Sequence, residues 1–531
     1  MNHLLLLAAI VLILCILMNR IAAKLPIPSL LMFIALGMCF GENGFLKIPF
    51  NDYEMSEAIC SISLIFVMFY GGFGTNLKTA RPVMARSFLL STAGVVVTAL
   101  LTGGAAHYLL GLSWTEGLLI GSVIASTDAA SVFNVLRSKK LSLKDHTDSM
   151  LELESGSNDP ISYMLTIMMI SLISGEKIFV PAMLAKQIIF GIACGLLIGK
   201  MALYIMDNID FRMKQGRTVF VFAVVIAGYA LASLIGGNGY LSVYLCGIFM
   251  GNGFIEDKKD MVRFFDIVTE IAQMVIFFLL GLLVTPVELP RVFLPALAVC
   301  LFMTFIGRPA AVFLVLKPFG AKMSQIGLVS WAGLRGVASI VFSIYVVLAD
   351  IPMTYNLFNL VFVIVLLSLA GQGTLLPAVA EKLKMIDKNA NVLRTFNDYQ
   401  EESEVAFIKI KVTPDHPFAD KTLKEVVMPP GFLAVLVFRG ESSLTPNGDT
   451  RLYSGDLIVC AAPAFEDREN LTLHEVSIGK NHKWRDRTIK DLTPDGGLLI
   501  IMIKRGENIL IPNGETKIRR DDVLVLRRQA G

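Results

Sequence analysis

The chain has 531 residues, of which 54% are hydrophobic and only 17% charged, with a formal net charge of +3. Soluble chains are nearer one quarter charged, so a single water-soluble globule is excluded. A net charge this small gives no reason to expect a nucleic-acid partner.

Apolar segments long enough to cross a bilayer, or nearly so, recur from the start of the chain. Thirteen are counted, near 3–20, 27–40, 54–72, 83–108, 115–136, 147–174, 180–206, 216–235, 240–253, 265–285, 292–316, 323–349 and 356–381. The first, with no basic residue before it and no small-residue cleavage motif after it, reads as a span rather than a signal peptide. Basic residues crowd alternate loops, with Arg20 and Lys24, then Lys78, Arg81 and Arg86, then Arg137, Lys139, Lys140 and Lys144, then Arg212, Lys214 and Arg217. The same set continues with Lys258, Lys259 and Arg263, then Lys317 and Lys322, then Lys382, Lys384 and Lys388. The opposite loops hold little beyond Lys47, Lys177 and Arg291. Lys and Arg collect on the cytoplasmic side, which predicts an N-terminus outside and a C-terminal region in the cytoplasm. The seven cysteines show no C-x-x-C spacing and read as small hydrophobes, with a reducing surround for Cys460.

After the membrane domain (1–385) the chain turns polar through a linker at 386–402. Two copies of one sequence follow, at 403–465 and 466–531, superposable without a gap at an offset of 66 from Phe418 and Trp484. Each copy predicts a short amphipathic helix at T-[LI]-K-[ED]-[VL], a strand ("FLAVLVF", "LLIIMIK"), a P-N-G-[DE]-T turn and a last strand ("DLIVC", "DVLVL"). That is a soluble α+β domain in two repeats. It serves either as a duplicated scaffold or as a ligand or dimer seam.

Ionisable residues inside spans cost several kcal/mol and tend to mark transport paths. Here they are Asp128, Glu154, Asp159, Glu270, Arg308 and Arg335, with Glu152 at an entrance. Asp128 lies in "GSVIASTDAASVFNVL", where Ser126 and Thr127 compete for backbone hydrogen bonds and weaken the helix. "SWAGLRGVASIVF" interrupts the twelfth segment in the same way, with Gly333, Arg335 and Gly336. Two interrupted helices seven segments apart fit inverted repeats of segments 1–6 and 8–13 around a midplane ion site. The plainer alternative is that small residues only let helices pack closely. In "LELESGSNDPISYM", Ser155 and Asp159 share one helical face, and Glu154 and Asn158 the next. Asp159 can thus face the Asp128 break while Glu154 meets an arginine. Pro160 has no N–H and leaves the Gly156 carbonyl without its helical partner. An oxygen-rich site of this kind suits a hard monovalent cation. Glu270 reads equally as a pathway-lining residue or as half of a helix pair.

The runs "STDAASVFNVL", "ESGSNDP" and "WAGLRG" together resemble the monovalent cation/proton antiporters, in the sodium/proton exchanger branch with an Asn-Asp pair. The resemblance covers roughly 1–385. It implies an α-helical polytopic membrane protein of thirteen spans, with inverted repeats and crossed broken helices, as a homodimer in a bacterial-type inner membrane. It implies Asp159 as the cation- and proton-binding carboxylate, Asn158 as its structural partner, and Thr127, Asp128 and Ser155 completing the monovalent-cation site. It also implies a bracing ion pair of Glu154 with Arg335, and puts Arg308 where electrogenic relatives carry a lysine. The tail resembles the C-terminal regulator-of-potassium-conductance domain (TrkA-C) in two copies. No Rossmann half precedes it, and "GGNGYL" lacks G-x-G-x-x-G spacing. A nucleotide-type regulatory ligand on the tail is carried over only as an implication of the resemblance, and no other cofactor is expected.

Competition of a proton and a cation for one carboxylate gives exchange, and an asparagine beside it points to one charge each way. The expected function is therefore electroneutral K⁺(Na⁺)/H⁺ antiport regulated by the tail. The nearest alternative is a Na⁺/H⁺ antiporter whose tail is structural. A tail-gated channel would want a carbonyl filter such as T-V-G-Y-G, and an intramembrane aspartyl protease a G-x-G-D motif; neither is present. The histidines (3, 107, 146, 416, 474, 482) are terminal, near a membrane edge or in the tail, so Ser-His or metal enzyme chemistry lacks its parts.

Overall fold

The computed structural model describes residues 2–22, 28–42, 44, 45, 47, 48, 50–139, 141–175, 179–209, 211, 214–253, 255, 258–387, 405–414, 416–426, 428, 432–439, 442–463, 473–479, 484–492, 498–505, 508–510, 512–520 and 522–528. The predicted linker beyond residue 387, and the loop residues Lys24, Lys140, Lys177, Arg212 and Lys388, lie outside the described residues. The chain divides into two compact units, Met1–Gln400 and Glu401–Gly531.

The first unit is helical. In chain order it contains α1 Asn2–Ala22, α2 Ser29–Phe40, α3 Tyr53–Gly74, α4 Leu77–Ala80, α5 Met84–Leu89, α6 Val95–Leu110, α7 Trp114–Ile124, α8 Ala129–Ser138 and α9 Thr147–Ile173. There follow α10 Val180–Asn208, α11 Lys214–Leu234, α12 Gly239–Gly251, α13 Lys258–Leu283, α14 Leu289–Phe302, α15 Arg308–Leu316, α16 Met323–Trp331, α17 Val337–Leu348, α18 Leu357–Leu367 and α19 Thr374–Lys382. Helix starts carry their own acceptors: Asp52 caps α3, Asn238 caps α12 and Asn356 caps α18, while Ser113 and Glu116 form a capping box on α7.

Among the described residues, seven helical stretches are long and apolar enough to cross a membrane by length and composition, from Tyr53–Gly74 to Leu357–Lys382. Three of the other predicted segments fall short for visible reasons. The segments holding Asp128 and Arg335 are cut into half-helices, and the polar run that opens α9 dilutes its apolar character. Three long stretches contain one wide π-helical turn each, at Leu90–Gly94, Met303–Gly307 and Ser368–Gly373.

Glycines set the closest helix crossings. A Cβ on Gly37 would lie 2.1 Å from the Phe278 carbonyl oxygen, and one on Gly281 2.1 Å from that of Ile34, so α2 and α13 meet backbone to backbone.

The second unit is two copies of a four-stranded antiparallel sheet. The first has β1 Val405–Lys411, β2 Leu433–Arg439, β3 Ser442–Leu444 and β4 Leu457–Pro463, in the order β1-β4-β2-β3. The second has β5 Leu473–Ser477, β6 Leu498–Arg505, β7 Asn508–Leu510 and β8 Val523–Arg528, in the order β5-β8-β6-β7. The internal repeat extends to irregularities: register slips between Ala434 and Leu436, and between Ile500 and Met502. The expected amphipathic helices are corrected. Leu423–Glu425 and Ile489–Leu492 each form only a short 3₁₀ segment. Pro429 and Pro430 in one copy, and Pro494 in the other, stand too close in sequence for the helix to propagate.

Each copy is closed by one arginine. Arg439 clamps Asp456 at 3.0 and 2.8 Å and donates to the Arg451 carbonyl, and Arg505 clamps Asp522 at 2.8 and 2.7 Å and donates to that of Lys517. The Arg439 hydrogen bonds hold the Asp456 carboxyl below its ordinary pKa. Burial pushes Asp522 up, but the Arg505 bonds outweigh it and the net direction is down. Both carboxylates therefore contribute stability that is complete above the unfolded value, about 3.9, and lost as pH falls through the lowered one. Asp522→Asn is expected to destabilise the second copy by about 2 kcal/mol at neutral pH, with the deficit fading in acid. Urea unfolding of the tail at pH 7 and pH 3 checks this.

Candidate functional site

The two interrupted helices meet at their interruptions. After α7 the chain leaves helical geometry, and Asp128 caps α8, accepting from the Ser131 amide (3.2 Å) and hydroxyl (2.5 Å). The Asp128 amide donates to the Leu334 carbonyl at 2.8 Å, inside the second break. Arg335 reaches back, donating through Nη1 to the carbonyls of Ala125 (2.8 Å) and Ser126 (2.7 Å). Those are carbonyls that the end of α7 leaves without helical partners. Its own amide donates to Ser368 Oγ in the wide turn between α18 and α19, and Ser368 donates to Gln372. Gly336 is required by this closeness: an added Cβ would lie 2.1 Å from Asp128 Oδ2. Gly336→Ala is expected to push the breaks apart and lower thermal stability by about 1–3 kcal/mol, while Gly371→Ala, with open space around it, is expected to be near neutral. Melting curves in detergent compare the two.

α9 crosses beside the breaks. Asp159, 7% exposed, accepts a short hydrogen bond from the Ser126 hydroxyl. One turn earlier, the Ser155 hydroxyl donates to the Thr127 carbonyl at 2.5 Å. On the neighbouring face, Asn158 accepts from the Thr127 amide (3.4 Å) and donates to Thr127 Oγ1 (2.5 Å) and Glu154 Oε1 (3.2 Å). The structure thus brings Thr127, Asp128, Ser155, Asn158 and Asp159 together. It divides them by contact: Asn158, Thr127 and Ser155 lace α9 to the first break, and Ser126 touches Asp159. Ser126, Ser368 and Gln372 were not among the site residues expected from sequence. Ser126 had a signal, its place in Ser-Thr-Asp; Ser368 and Gln372 had none.

The bracing pair is corrected. Glu154 pairs with Arg308 Nη2 at 2.9 Å, both side chains 1% exposed, rather than with Arg335. The reason is geometric. Arg308 opens α15 at the end of a wide π turn and projects at α9, while the guanidinium of Arg335, 0% exposed, is engaged with backbone carbonyls of the first break.

A cavity of about 640 Å³ reaches this crossing. Asp159, Asp128, Ser155 and Thr127 line it, as do Glu152, Asp266 and Glu270. Glu270 is therefore a cavity wall residue, and it accepts from Asn19 Nδ2 at 3.2 Å.

A helical membrane unit with a buried carboxylate at the crossing of two broken helices, reached through an acidic cavity, has the parts of an ion transporter. The chain belongs to the sodium/hydrogen exchanger family: its transmembrane domain matches residues 8–382, and the TrkA-C domain matches 407–464 and 473–527. It is 35% identical to the K(+)/H(+) antiporter NhaP of Alkalimonas amylolytica, over 81% of this chain and 75% of that one. It is 32% identical to the K(+)/H(+) antiporter NhaP2 of Shewanella baltica (strain OS223), over 86% of this chain and 80% of that one. The structure of the sodium proton antiporter MjNhaP1 from Methanocaldococcus jannaschii superposes with a TM-score of 0.64 at 26% identity, covering 71% of this chain and 97% of that one. The protein is an integral membrane monovalent cation/proton antiporter with a TrkA-C tail.

Proposed function

We propose that the protein exchanges K⁺ for H⁺ electroneutrally, one for one, by alternating access, with Asp159 holding either the cation or the proton. The observation that carries this is the charge balance at the crossing. Asp128, Glu154 and Asp159 stand against Arg308 and Arg335, which leaves one negative charge. One proton or one monovalent cation on Asp159 neutralises the set, and a neutral core can cross the low-dielectric interior without the cost of a buried net charge. Asn158 supports the reading, because its amide links α9 to Thr127 without adding a second titrating group. K⁺ is preferred because the relatives of highest identity cited above carry that ion in their names and share most of this chain. The 28% identity to the Na(+)/H(+) antiporter 1 of M. jannaschii favours the second reading, Na⁺/H⁺ exchange with a purely structural tail.

The reading includes thirteen spans in inverted repeats, an outer N-terminus, a cytoplasmic tail, the inner membrane of a bacterial cell and a homodimer. The domain division is 1–385, a linker at 386–402, and tail repeats at 403–465 and 466–531. The tail regulates exchange, through a bound nucleotide-type ligand if it has one. The test uses proteoliposomes with an internal pH dye and imposed membrane potentials. The expected result is a K⁺-dependent pH change whose rate does not respond to potential; a rate that follows the potential would refute one-for-one exchange. Removing residues 400–531 is expected to shift the pH or cation dependence while exchange persists.

A further inference from the structure

The mechanism leaves one face of α13 unexplained. Asp266, Thr269, Glu270 and Gln273 fall at intervals of three, one and three residues, a single polar stripe on the part of the helix beyond Arg263, which is otherwise apolar. All four line the cavity that contains Asp159. Two of them are held in place from other helices: Tyr70 on α3 donates to Asp266 at 2.6 Å, and Asn19 on α1 donates to Glu270 at 3.2 Å. Between the two carboxylates in sequence stands Thr269, 6% exposed, whose hydroxyl has no hydrogen-bond partner among the described residues. A buried hydroxyl left unpartnered is destabilising, and a bound ion or its water shell would relieve that cost. Asp266 and Glu270 are like charges one turn apart, an arrangement that repels and repels more strongly away from bulk water. The wall as a whole is unbalanced: five carboxylates line the cavity (Asp128, Glu152, Asp159, Asp266 and Glu270), and Lys139 is the one basic residue among the lining side chains.

We infer that Asp266, Thr269 and Glu270 form a second, upstream cation subsite, which holds a partly hydrated monovalent cation before it passes to Asp159. Carboxylate and hydroxyl oxygens are the ligands such hard cations take, and one cation shared by the two carboxylates removes their repulsion. The stripe carboxylates accept from Tyr70 and Asn19, whereas Asp159 accepts from Ser126, so the subsite raises the local cation concentration and leaves the exchange step to Asp159. It deepens the exchange reading above, and its test is arranged to separate the two.

In Asp159→Asn protein the main site is gone, and a thermal shift reads the subsite alone. KCl or NaCl, against choline chloride at equal ionic strength, is expected to raise the melting temperature saturably. The rise is expected to vanish in Asp159→Asn/Glu270→Gln and to shrink in Asp159→Asn/Thr269→Val. In proteoliposomes, Asp266→Asn/Glu270→Gln is expected to raise the apparent KM for the cation by about tenfold, the scale of electrostatic concentration in a charged cleft, and by more than any fall in maximal rate. No saturable shift in Asp159→Asn protein, the same shift with Glu270 replaced, or stabilisation by Mg²⁺ or Ca²⁺ but not by K⁺ or Na⁺ would each overturn the subsite. An unchanged KM alongside active parent protein would overturn it while leaving the exchange reading intact. Absence of exchange in the parent would sink that reading, and the thermal shift would still decide the subsite.

Discussion

Asp159→Asn is expected to abolish cation-driven pH change in proteoliposomes, down to the protein-free baseline, in protein that is monodisperse and melts near the parent. The side chain keeps its size and can still accept from Ser126. What it loses is the capacity to carry the compensating charge. In the parent, the crossing holds three carboxylates against two guanidiniums; in the variant it is neutral before any ion arrives. A cation then makes a net positive buried set, and no proton is there to leave. Residual exchange within about tenfold of the parent, a 1.4 kcal/mol effect, would move the exchange role elsewhere, with Asp128 the first candidate because it lines the same cavity.

Removing either member of the Glu154–Arg308 pair is expected to be the most destabilising single change in the membrane unit. Both side chains are 1% exposed and 2.9 Å apart. Arg308→Ala leaves a buried carboxylate unneutralised, and Glu154→Ala a buried guanidinium, each at a cost of about 3–5 kcal/mol. Glu154→Gln with Arg308→Met removes both charges and is expected to recover most of that loss, because a well-packed apolar replacement of a buried pair is often neutral. Thermal unfolding in detergent of the two single variants and the double variant measures the coupling. If the single losses simply add in the double variant, the pair is not an energetic unit.

Much of the candidate site is legible in the sequence because charge inside apolar segments is rare. Asp128, Glu154, Asp159, Arg308 and Arg335 stand out against their surroundings, and the breaks announce themselves through Ser-Thr-Asp and paired glycines. Partnership was less legible. Whether Glu154 meets Arg335 or Arg308 depends on the rotation of α15 about its axis, and the wide turn Met303–Gly307 resets that rotation; Gly307 and Pro309 mark an irregularity there but not the size of the rotation. Sequence spacing cannot assign Glu270 to lining or to pairing, because its contact, Asn19, is 251 residues away in sequence. In the tail, the repeat fixed the strands by analogy of one copy with the other, but the T-L-K-E and T-I-K-D runs are too short for periodicity to separate an α turn from a 3₁₀ turn.

The wide turn at Ser368–Gly373 has a further consequence, one of length and not of chemistry. A π turn holds one residue more than the α turn it replaces, so this stretch stores a single residue of slack between α18 and α19. Through it pass the Ser368 contact to Arg335 and the Gln372 contacts to Trp331 in the facing half-helix. Deleting one residue there would let the helix close into an ordinary spiral, turning everything beyond it by about 100° relative to everything before. Point substitution leaves that phase untouched. The informative variant at this position is therefore a deletion, which tests whether the helix must be out of phase with itself for its neighbour to stay broken.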